Sequence, residues 1–228
     1  MSFNELEKTL GSNFKNQSLL KMAFIHRSYL NESKEALESN ERLEFLGDSI
    51  LSFIVSKYLY KAYPDLPEGE LTSLRSAIVK TKTLANIAAQ LNLGPMLKLS
   101  KGEDESNGRS NPSILADTFE ALLGAIFLDQ GLTKASQVIQ KFLLPKLPEI
   151  IALKAYKDAK STLQEVVQEK TRTSPAYKVL KETGPDHAKT FTIGVFLGDR
   201  LLGKGEGKSK QEGEQMAASK ALEAWKDK

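Results

Sequence analysis

The chain has 228 residues, of which 40% are hydrophobic and 27% charged, a composition typical of a globular protein with one large domain or two smaller ones. It contains no cysteine, which excludes disulfides, zinc–thiolate sites and thiol nucleophiles and favours a reducing, cytoplasmic setting. The N-terminal stretch lacks the basic start and apolar core of a signal peptide, and the longest apolar run, 121–128, is too short to span a membrane. We therefore expect a cytoplasmic protein with no membrane partner.

The net charge of +3 belongs to the C-terminal third of the chain. Residues 1–156 hold 18 Lys and Arg against 18 Asp and Glu, whereas residues 157–228 hold 14 against 11. This modest excess indicates where a polyanion would dock.

Two short helices are predicted near the N-terminus. The first covers residues 3–10 and ends at Gly11, and the second covers about 17–28. His26 lies near the end of the second helix, and a lone histidine there is interpreted as a structural hydrogen-bonding residue.

A helix from Asn40 to about Tyr60 carries the first group of acidic residues. At about 100° per residue, its apolar side chains fall on one face, namely Leu43, Leu46, Gly47, Ile50, Leu51 and Ile54. Glu41, Glu44 and Asp48 fall together beside that face, where like charges repel and destabilise the helix. Two interpretations stay open: a solvated acidic face, or carboxylates that share a divalent cation, for which oxygen ligands favour magnesium.

The next stretch is predicted to be helical and then irregular. Pro67 lies near the start of a helical segment, with Glu68 and Glu70 in its first turn, where acidic side chains favour the helix dipole. The polar, glycine-containing residues 100–111 are predicted to form a mobile loop.

A second group of acids lies in the helix predicted over 113–131. Hydrophobic side chains surround this helix almost completely, which predicts that it is buried. Asp117 and Glu120 lie one turn apart within it, and they either form salt bridges, for which this segment offers no basic residue, or bind metal. If they converge with Glu44 and Asp48, the four acids form an all-oxygen site for one or two magnesium ions, suited to phosphate-ester hydrolysis.

The C-terminal segment predicts a small α-β-β-β-α module. A helix over 159–170 is followed by strands at 176–182, 190–197 and 200–206 and by a helix over 211–225, with a tight turn at Gly198 and Asp199. The expected core consists of Leu163, Val166, Val167, Val179, Phe191, Ile193, Ala217, Ala218, Leu222 and Trp225.

Lys208, Ser209 and Lys210 precede the last helix. Cationic side chains and free N–H groups at a helix N-terminus suit a phosphate, although a flexible lysine-rich loop has the same composition. Both interpretations stay open at this point.

Several motifs together resemble a known family. The string NERLEFLGDSIL, residues 40–51, is similar to the signature of the ribonuclease III family, and HRSYLNE, PEGELTSLR and ILADTFEALLGAIFLD occur in that family's order. The C-terminal module resembles a double-stranded-RNA-binding domain through STLQE, GPDHAKTF and GEGKSK. The resemblance covers essentially the whole chain.

The resemblance implies an all-α endonuclease domain over 1–150, a linker over 151–157 and an α+β double-stranded-RNA-binding domain over 158–228. It also implies a homodimer, in which Phe45 contacts the partner subunit. The residues that match the family's metal-site and catalytic acids are Glu44, Asp48, Asp117 and Glu120, and those that match supporting acids are Glu41 and Glu68.

In the second domain the resemblance implies three contacts with an RNA duplex. The matching residues are Gln164 and Glu165 for one minor groove, Pro185, Asp186 and His187 for the next, and Lys208, Ser209 and Lys210 for the phosphates between them. The family commonly has a second lysine where this chain has Gln211, and we expect lower affinity and a flatter salt dependence from the change.

The implied function is magnesium-dependent hydrolysis of both strands of double-stranded RNA, with manganese as a substitute ion and no nucleotide cofactor. The products would carry 5′-phosphate and 3′-hydroxyl ends, and the implied roles are processing of precursor rRNA, structured mRNA and tRNA. Two alternatives remain: a protein that binds double-stranded RNA without cleaving it, and a phosphoesterase with another substrate whose C-terminal module binds protein.

Overall fold

The computed structural model describes residues 2–34, 37–152, 159–185 and 189–226. The chain forms two compact units, 1–156 and 157–228, and each is described by itself. Most of the expected linker, 151–157, lies outside the described residues, so its bounds stay a prediction.

The first unit is built from helices. They are α1 (Phe3–Leu10), α2 (Gln17–Met22), α3 (Glu41–Ala62), α4 (Glu68–Ile78), α5 (Thr81–Gln90), α6 (Lys101–Glu105), α7 (Pro112–Phe142) and α8 (Leu147–Ala152). Short 3-10 turns at Arg27–Asn31, Gly94–Met96, Gly108–Ser110 and Leu144–Lys146 connect them. This unit confirms the predicted all-α class, and no helix in the described part of the chain is long and apolar enough to cross a membrane.

The second predicted helix is shorter than expected, because the chain leaves helical geometry after Met22. Ile25 forms an isolated bridge with Lys98, and the N–H of His26 donates to the carbonyl of Lys98 at 3.1 Å. This pairing uses backbone groups that a continuous helix would need for itself.

The prediction of a mobile loop at 100–111 is wrong, because helix α6 and a 3-10 turn lie there. The hydroxyl of Ser100 accepts a hydrogen bond from the N–H of Glu103, and the Glu32 carboxylate accepts the N–H of Lys101. Arg109 donates to Asp104 and also to the carbonyls of Gly94, Pro95 and Leu97. These contacts come largely from distant segments and stabilise a stretch that is too polar to be ordered by burial.

Helix α7 passes the end expected at Gly131 and continues to Phe142. The helix bends at Gly131, whose φ is 81°. Residues other than glycine rarely adopt this backbone conformation. The half before this bend contains Asp117 and Glu120, and its buried side chains pack against α3 in the centre of the unit.

Two glycines let α3 and α7 cross at very short distance. A Cβ atom at Gly47 would collide with the carbonyl oxygen of Glu120, and one at Gly124 would collide with the carbonyl oxygen of Leu43. The two backbones therefore touch, one turn away from the acids that each helix carries.

The second unit confirms the predicted α-β-β-β-α order. Helix α9 (Ala159–Thr171) precedes an antiparallel sheet of β1 (Ala176–Thr183), β2 (Thr190–Leu197) and β3 (Arg200–Gly207), and α10 (Lys210–Lys226) packs against the sheet. Its buried core is Leu163, Val167, Val195, Ala217, Ala218 and Ala221.

One expected core residue of this unit is exposed. Val179 is 42% exposed, and the pairing of β1 with β2 shifts register between Val179 and Lys181. Such a bulge inserts an extra residue and turns the side chains around it. Val195 on β2 is fully buried and belongs to the core.

Substitution of Gly47 tests the close crossing. In G47A the new methyl group must push α3 away from α7, so we expect the free energy of unfolding of the first unit to fall by about 2–3 kcal/mol. The matched control is G102A on α6, where a Cβ meets no atom within 4 Å and alanine should be neutral or slightly stabilising. Equal thermal stability of G47A and the wild type would contradict the crossing.

Candidate metal centre and nucleic-acid interface

Three carboxylates from the two crossing helices converge. Glu44 lies on α3, while Asp117 and Glu120 lie one turn apart on α7, and one oxygen of each lies within 4.8 Å of the others. All three residues are partly buried. The convergence of the two acidic pairs that the sequence suggests is thus present for three of the four residues.

The fourth predicted acid, Asp48, is exposed on α3, one turn beyond Glu44. It lies outside the group of three, but its charge still raises the pKa of Glu44 and of Glu120. Its role as a metal ligand stays a prediction.

Burial and mutual repulsion shift the protonation of this group. Burial is the largest cause that raises the pKa of Glu120 to about 8, and the charges of Asp48, Asp117 and Glu44 add to it. Burial and the neighbouring acids also raise the pKa of Glu44, and burial raises that of Asp117, where His26 has the opposite effect. An oxygen-only donor set in this condition suits a hard divalent cation.

Salt bridges do not compensate the charge of the three converging carboxylates. Across the described ranges, no Lys or Arg lies within 4.0 Å of a carboxylate oxygen of Glu44, Asp117 or Glu120. The nearby arginines pair elsewhere: Arg27 lies 3.7 Å from Glu41, and Arg42 lies 3.7 Å from Glu38.

A polar cleft of about 680 Å³ adjoins the carboxylates, and Glu44 and Asp117 form part of its wall. His26 also lines it, with Nδ1 lying 2.8 Å from the hydroxyl of Ser28 and accepting the Ser28 N–H, which agrees with the structural interpretation of this histidine. Arg27 lines the same cleft, a position that sequence spacing did not reveal, because nothing in the linear pattern connects it with Glu41.

The two predicted supporting acids lie in different surroundings. Glu41 accepts a hydrogen bond from the Ser39 hydroxyl at 2.8 Å and adds to the repulsion that raises the pKa of Glu44. Glu68, in the first turn of α4, accepts one from Thr72 at 2.8 Å and does not line the cleft. The supporting roles of both stay predictions.

Phe45 follows Glu44 on α3 and is 75% exposed. It borders an apolar groove of about 630 Å³ to which Leu19, Met22, Leu46 and Leu128 contribute. Further along the same helix, Phe53 and Tyr60 are also exposed. This apolar surface is where the predicted dimer contact falls.

In the second unit, the predicted RNA-binding residues that the structure describes all lie at the surface. They are Gln164 and Glu165 on α9, Pro185 after β1, and Lys208, Ser209 and Lys210 at the start of α10. Asp186 and His187 lie outside the described residues. Only Lys208 and Ser209 separate β3 from α10, so the lysine cluster is a tight connection and not a long flexible loop.

The comparisons with known proteins agree with both units. Residues 16–147 match the model of the ribonuclease-III-like family, and residues 159–224 match that of the double-stranded RNA binding motif. The chain belongs to the ribonuclease III family. Ribonuclease 3 of Pelotomaculum thermopropionicum is 47% identical over 218 residues, 95% of this chain and 90% of that protein. Ribonuclease 3 of Oceanobacillus iheyensis is 45% identical over 225 residues, 98% of each chain.

A solved structure supports the same assignment for the first unit. The nuclease domain of ribonuclease III from Campylobacter jejuni, described for flexibility in a region involved in dimer formation, is 37% identical. It covers 64% of this chain and 99% of that one, with a TM-score of 0.60. This ribonuclease III is therefore an endoribonuclease with a double-stranded-RNA-binding domain, and the predicted enzyme class is confirmed.

Neutralising Glu120 tests the cost of burying its carboxylate beside the other acids. Between about pH 4.5 and 8 the unfolded chain releases the Glu120 proton and the folded chain keeps it, so the metal-free protein loses stability as the pH rises. E120Q removes this loss. Because the carboxyl is only partly buried, we expect E120Q to gain about 1–2 kcal/mol at pH 8, roughly 2–8 °C in unfolding temperature, and little at pH 4.5.

Thermal unfolding in EDTA at the two pH values measures the difference. E105Q serves as the control, because Glu105 is an exposed carboxylate on α6 that lies 3.9 Å from the ammonium of Lys101. A gain for E120Q that is the same at both pH values would contradict the raised pKa.

Proposed function

We propose that this ribonuclease III hydrolyses phosphodiesters in both strands of double-stranded RNA with Mg²⁺ as its cofactor and Mn²⁺ as a substitute. The observation that supports this most strongly is the convergence of Glu44, Asp117 and Glu120 in a chain that also has a double-stranded-RNA-binding domain. The products would carry 5′-phosphate and 3′-hydroxyl ends with a short 3′ overhang.

The carboxylates fit a divalent cation by chemistry as well as by position. Glu44, Asp117 and Glu120 would hold the ion. Asp48, whose charge acts on Glu120, would contribute through that charge or through a water that bridges it to the ion. When bound, such an ion lowers the pKa of an attacking water and stabilises negative charge on the scissile phosphate. Without the ion, the raised pKa of Glu120 keeps that carboxyl protonated near neutral pH, so ion binding releases a proton.

Arg27, in the wall of the same cleft, would help to orient the substrate. Arg27 offers a guanidinium beside Glu41, and guanidinium groups suit phosphate oxygens. Gly47 and Gly124 keep the two acidic helices in contact, which holds the carboxylates in place on rigid elements.

The second domain would hold the duplex by its shape. The exposed Gln164 and Glu165 lie on one helix, and Lys208 and Lys210 start another, so side chains from two elements are available to grooves and phosphates. Recognition of this kind depends on A-form geometry and 2′-hydroxyls, with little sequence preference.

A homodimer completes the proposal, because two symmetric sites can cut two strands. Phe45 and its apolar groove would form part of the contact between subunits. The Campylobacter jejuni relative, whose nuclease domain has a region involved in dimer formation, supports this assignment. We place the activity in the cytoplasm, in processing of precursor rRNA, structured mRNA and tRNA.

Cleavage by E120Q tests the proposed catalytic role of the carboxylates. We expect the variant to lose more than about 100-fold in the cleavage rate of an end-labelled RNA duplex in Mg²⁺, while its affinity for the duplex stays within about twofold. Cleavage by the wild type should require Mg²⁺ and stop in EDTA, with single-stranded RNA and duplex DNA left intact. If E120Q cleaves the duplex as fast as the wild type, Glu120 does not have this role. If the wild type binds the duplex without cleaving it, the non-cleaving alternative is favoured.

Deletion of residues 157–228 tests the role of the second domain. The remaining unit is compact, and the nuclease domain of the Campylobacter jejuni relative has been solved by itself. We expect duplex affinity at physiological salt to fall more than about tenfold, because most cationic phosphate contacts are lost. Unchanged affinity in an equilibrium binding assay would instead assign the C-terminal module to protein binding.

A further inference from the structure

Lys210, in the lysine cluster at the start of α10, is already paired with a carboxylate of its own domain. The ammonium of Lys210 lies 3.8 Å from the carboxylate of Glu182 on β1, and the two side chains are 59% and 43% exposed. The same ammonium lies 5.7 Å from the centre of the Phe191 ring. An RNA phosphate that reached Lys210 would therefore meet a carboxylate at the same group.

A second carboxylate occupies the other side of the cluster. Glu212 accepts the N–H of Lys208 at 2.7 Å, and its own N–H donates to the hydroxyl of Ser209 at 3.2 Å. Glu212 is thus built into the first turn of the helix, where a negative charge is favourable. Glu182 differs, because it comes from another element and contacts the cluster through an exposed ion pair with Lys210.

We infer that Glu182 is an intramolecular competitor of RNA phosphate for Lys210, and that it lowers the affinity of the domain for duplexes. This inference rests on the proposed function. An exposed ion pair contributes little stability, so a phosphate can displace it easily. The displaced carboxylate nevertheless stays within a few ångströms of the bound phosphate and repels it.

The local sequence increases the weight of this competition. Gln211 follows Lys210, so the cluster has ammonium groups only at Lys208 and Lys210. Partial neutralisation of one of these two cations weakens binding most for an RNA that contacts the domain through only a few phosphates. A long duplex that also engages α9 would still bind, and Glu182 would thereby favour extended duplexes over short or single-stranded RNA.

A purely structural role for the ion pair predicts something different. If Glu182 served only to hold β1 against the start of α10, its neutralisation would lower the thermal stability and leave duplex affinity unchanged or weaker. Competition predicts stronger binding with little change in unfolding temperature, since exposed pairs contribute little to stability.

The experiment compares duplex binding by the full chain in EDTA, with a fluorescently labelled RNA duplex as the probe. E182Q should bind about 2–5 times more tightly than the wild type near physiological salt, and the slope of log affinity against log salt should steepen by up to about one. The matched control is E223Q, which removes the same charge from an exposed position 13 residues along α10, about 20 Å from Lys210. E223Q should bind like the wild type.

Two further variants separate the possible outcomes. K210A should weaken binding, and in the E182Q/K210A double variant the gain from E182Q should fall to less than half on a logarithmic scale. If K210A weakens binding and E182Q does not strengthen it, competition is wrong while the RNA interface stands. If K210A binds like the wild type, the proposed RNA contact of the cluster fails, and the competition fails with it.

Discussion

The nuclease unit depends on the contact between α3 and α7, where Gly47 and Gly124 allow two backbones to touch. The same contact brings Glu44 from one helix against Asp117 and Glu120 from the other. Burial of these carboxylates and, to a smaller extent, the repulsion among them destabilise the fold, and both raise the pKa of Glu120. Hydrophobic packing along the rest of the two helices holds the acids together, and a divalent cation would turn the repulsion into binding energy.

Charge is managed differently in the two units. In the nuclease unit, Glu44, Asp117 and Glu120 converge, and no Lys or Arg of the described ranges lies within 4.0 Å of their carboxylate oxygens. Their uncompensated negative charge favours binding of a cation. In the RNA-binding unit, Lys208 and Lys210 lie beside Glu212 and Glu182, which reduces their attraction for a polyanion. Under the proposed function, the first site would attract its cation strongly, whereas the second would hold RNA through many weak contacts spread over a surface.

Periodicity and residue type were sufficient for the parts of the fold that depend on burial. The apolar stripe of α3, the almost wholly apolar start of α7 and the three short strands are present as predicted, with strand ends that differ by at most one residue. The acids of the candidate site could be recognised from the sequence because these carboxylates lie beside the apolar face of α3 or within the buried part of α7, where the sequence offers no basic partner. The order of 100–111 could not, because it comes from Arg109 and Glu32, whose bonds join segments distant in sequence. The exposure of Val179 follows from a register shift that no local pattern indicates.

A crystal structure of the protein soaked in Mn²⁺, with anomalous scattering used to locate the ion, would test the central claim most directly. The account predicts a peak within about 2–2.5 Å of carboxylate oxygens of Glu44, Asp117 and Glu120, and the same map would show whether Asp48 binds the ion. A peak elsewhere, or none at these residues at saturating Mn²⁺, would contradict the account.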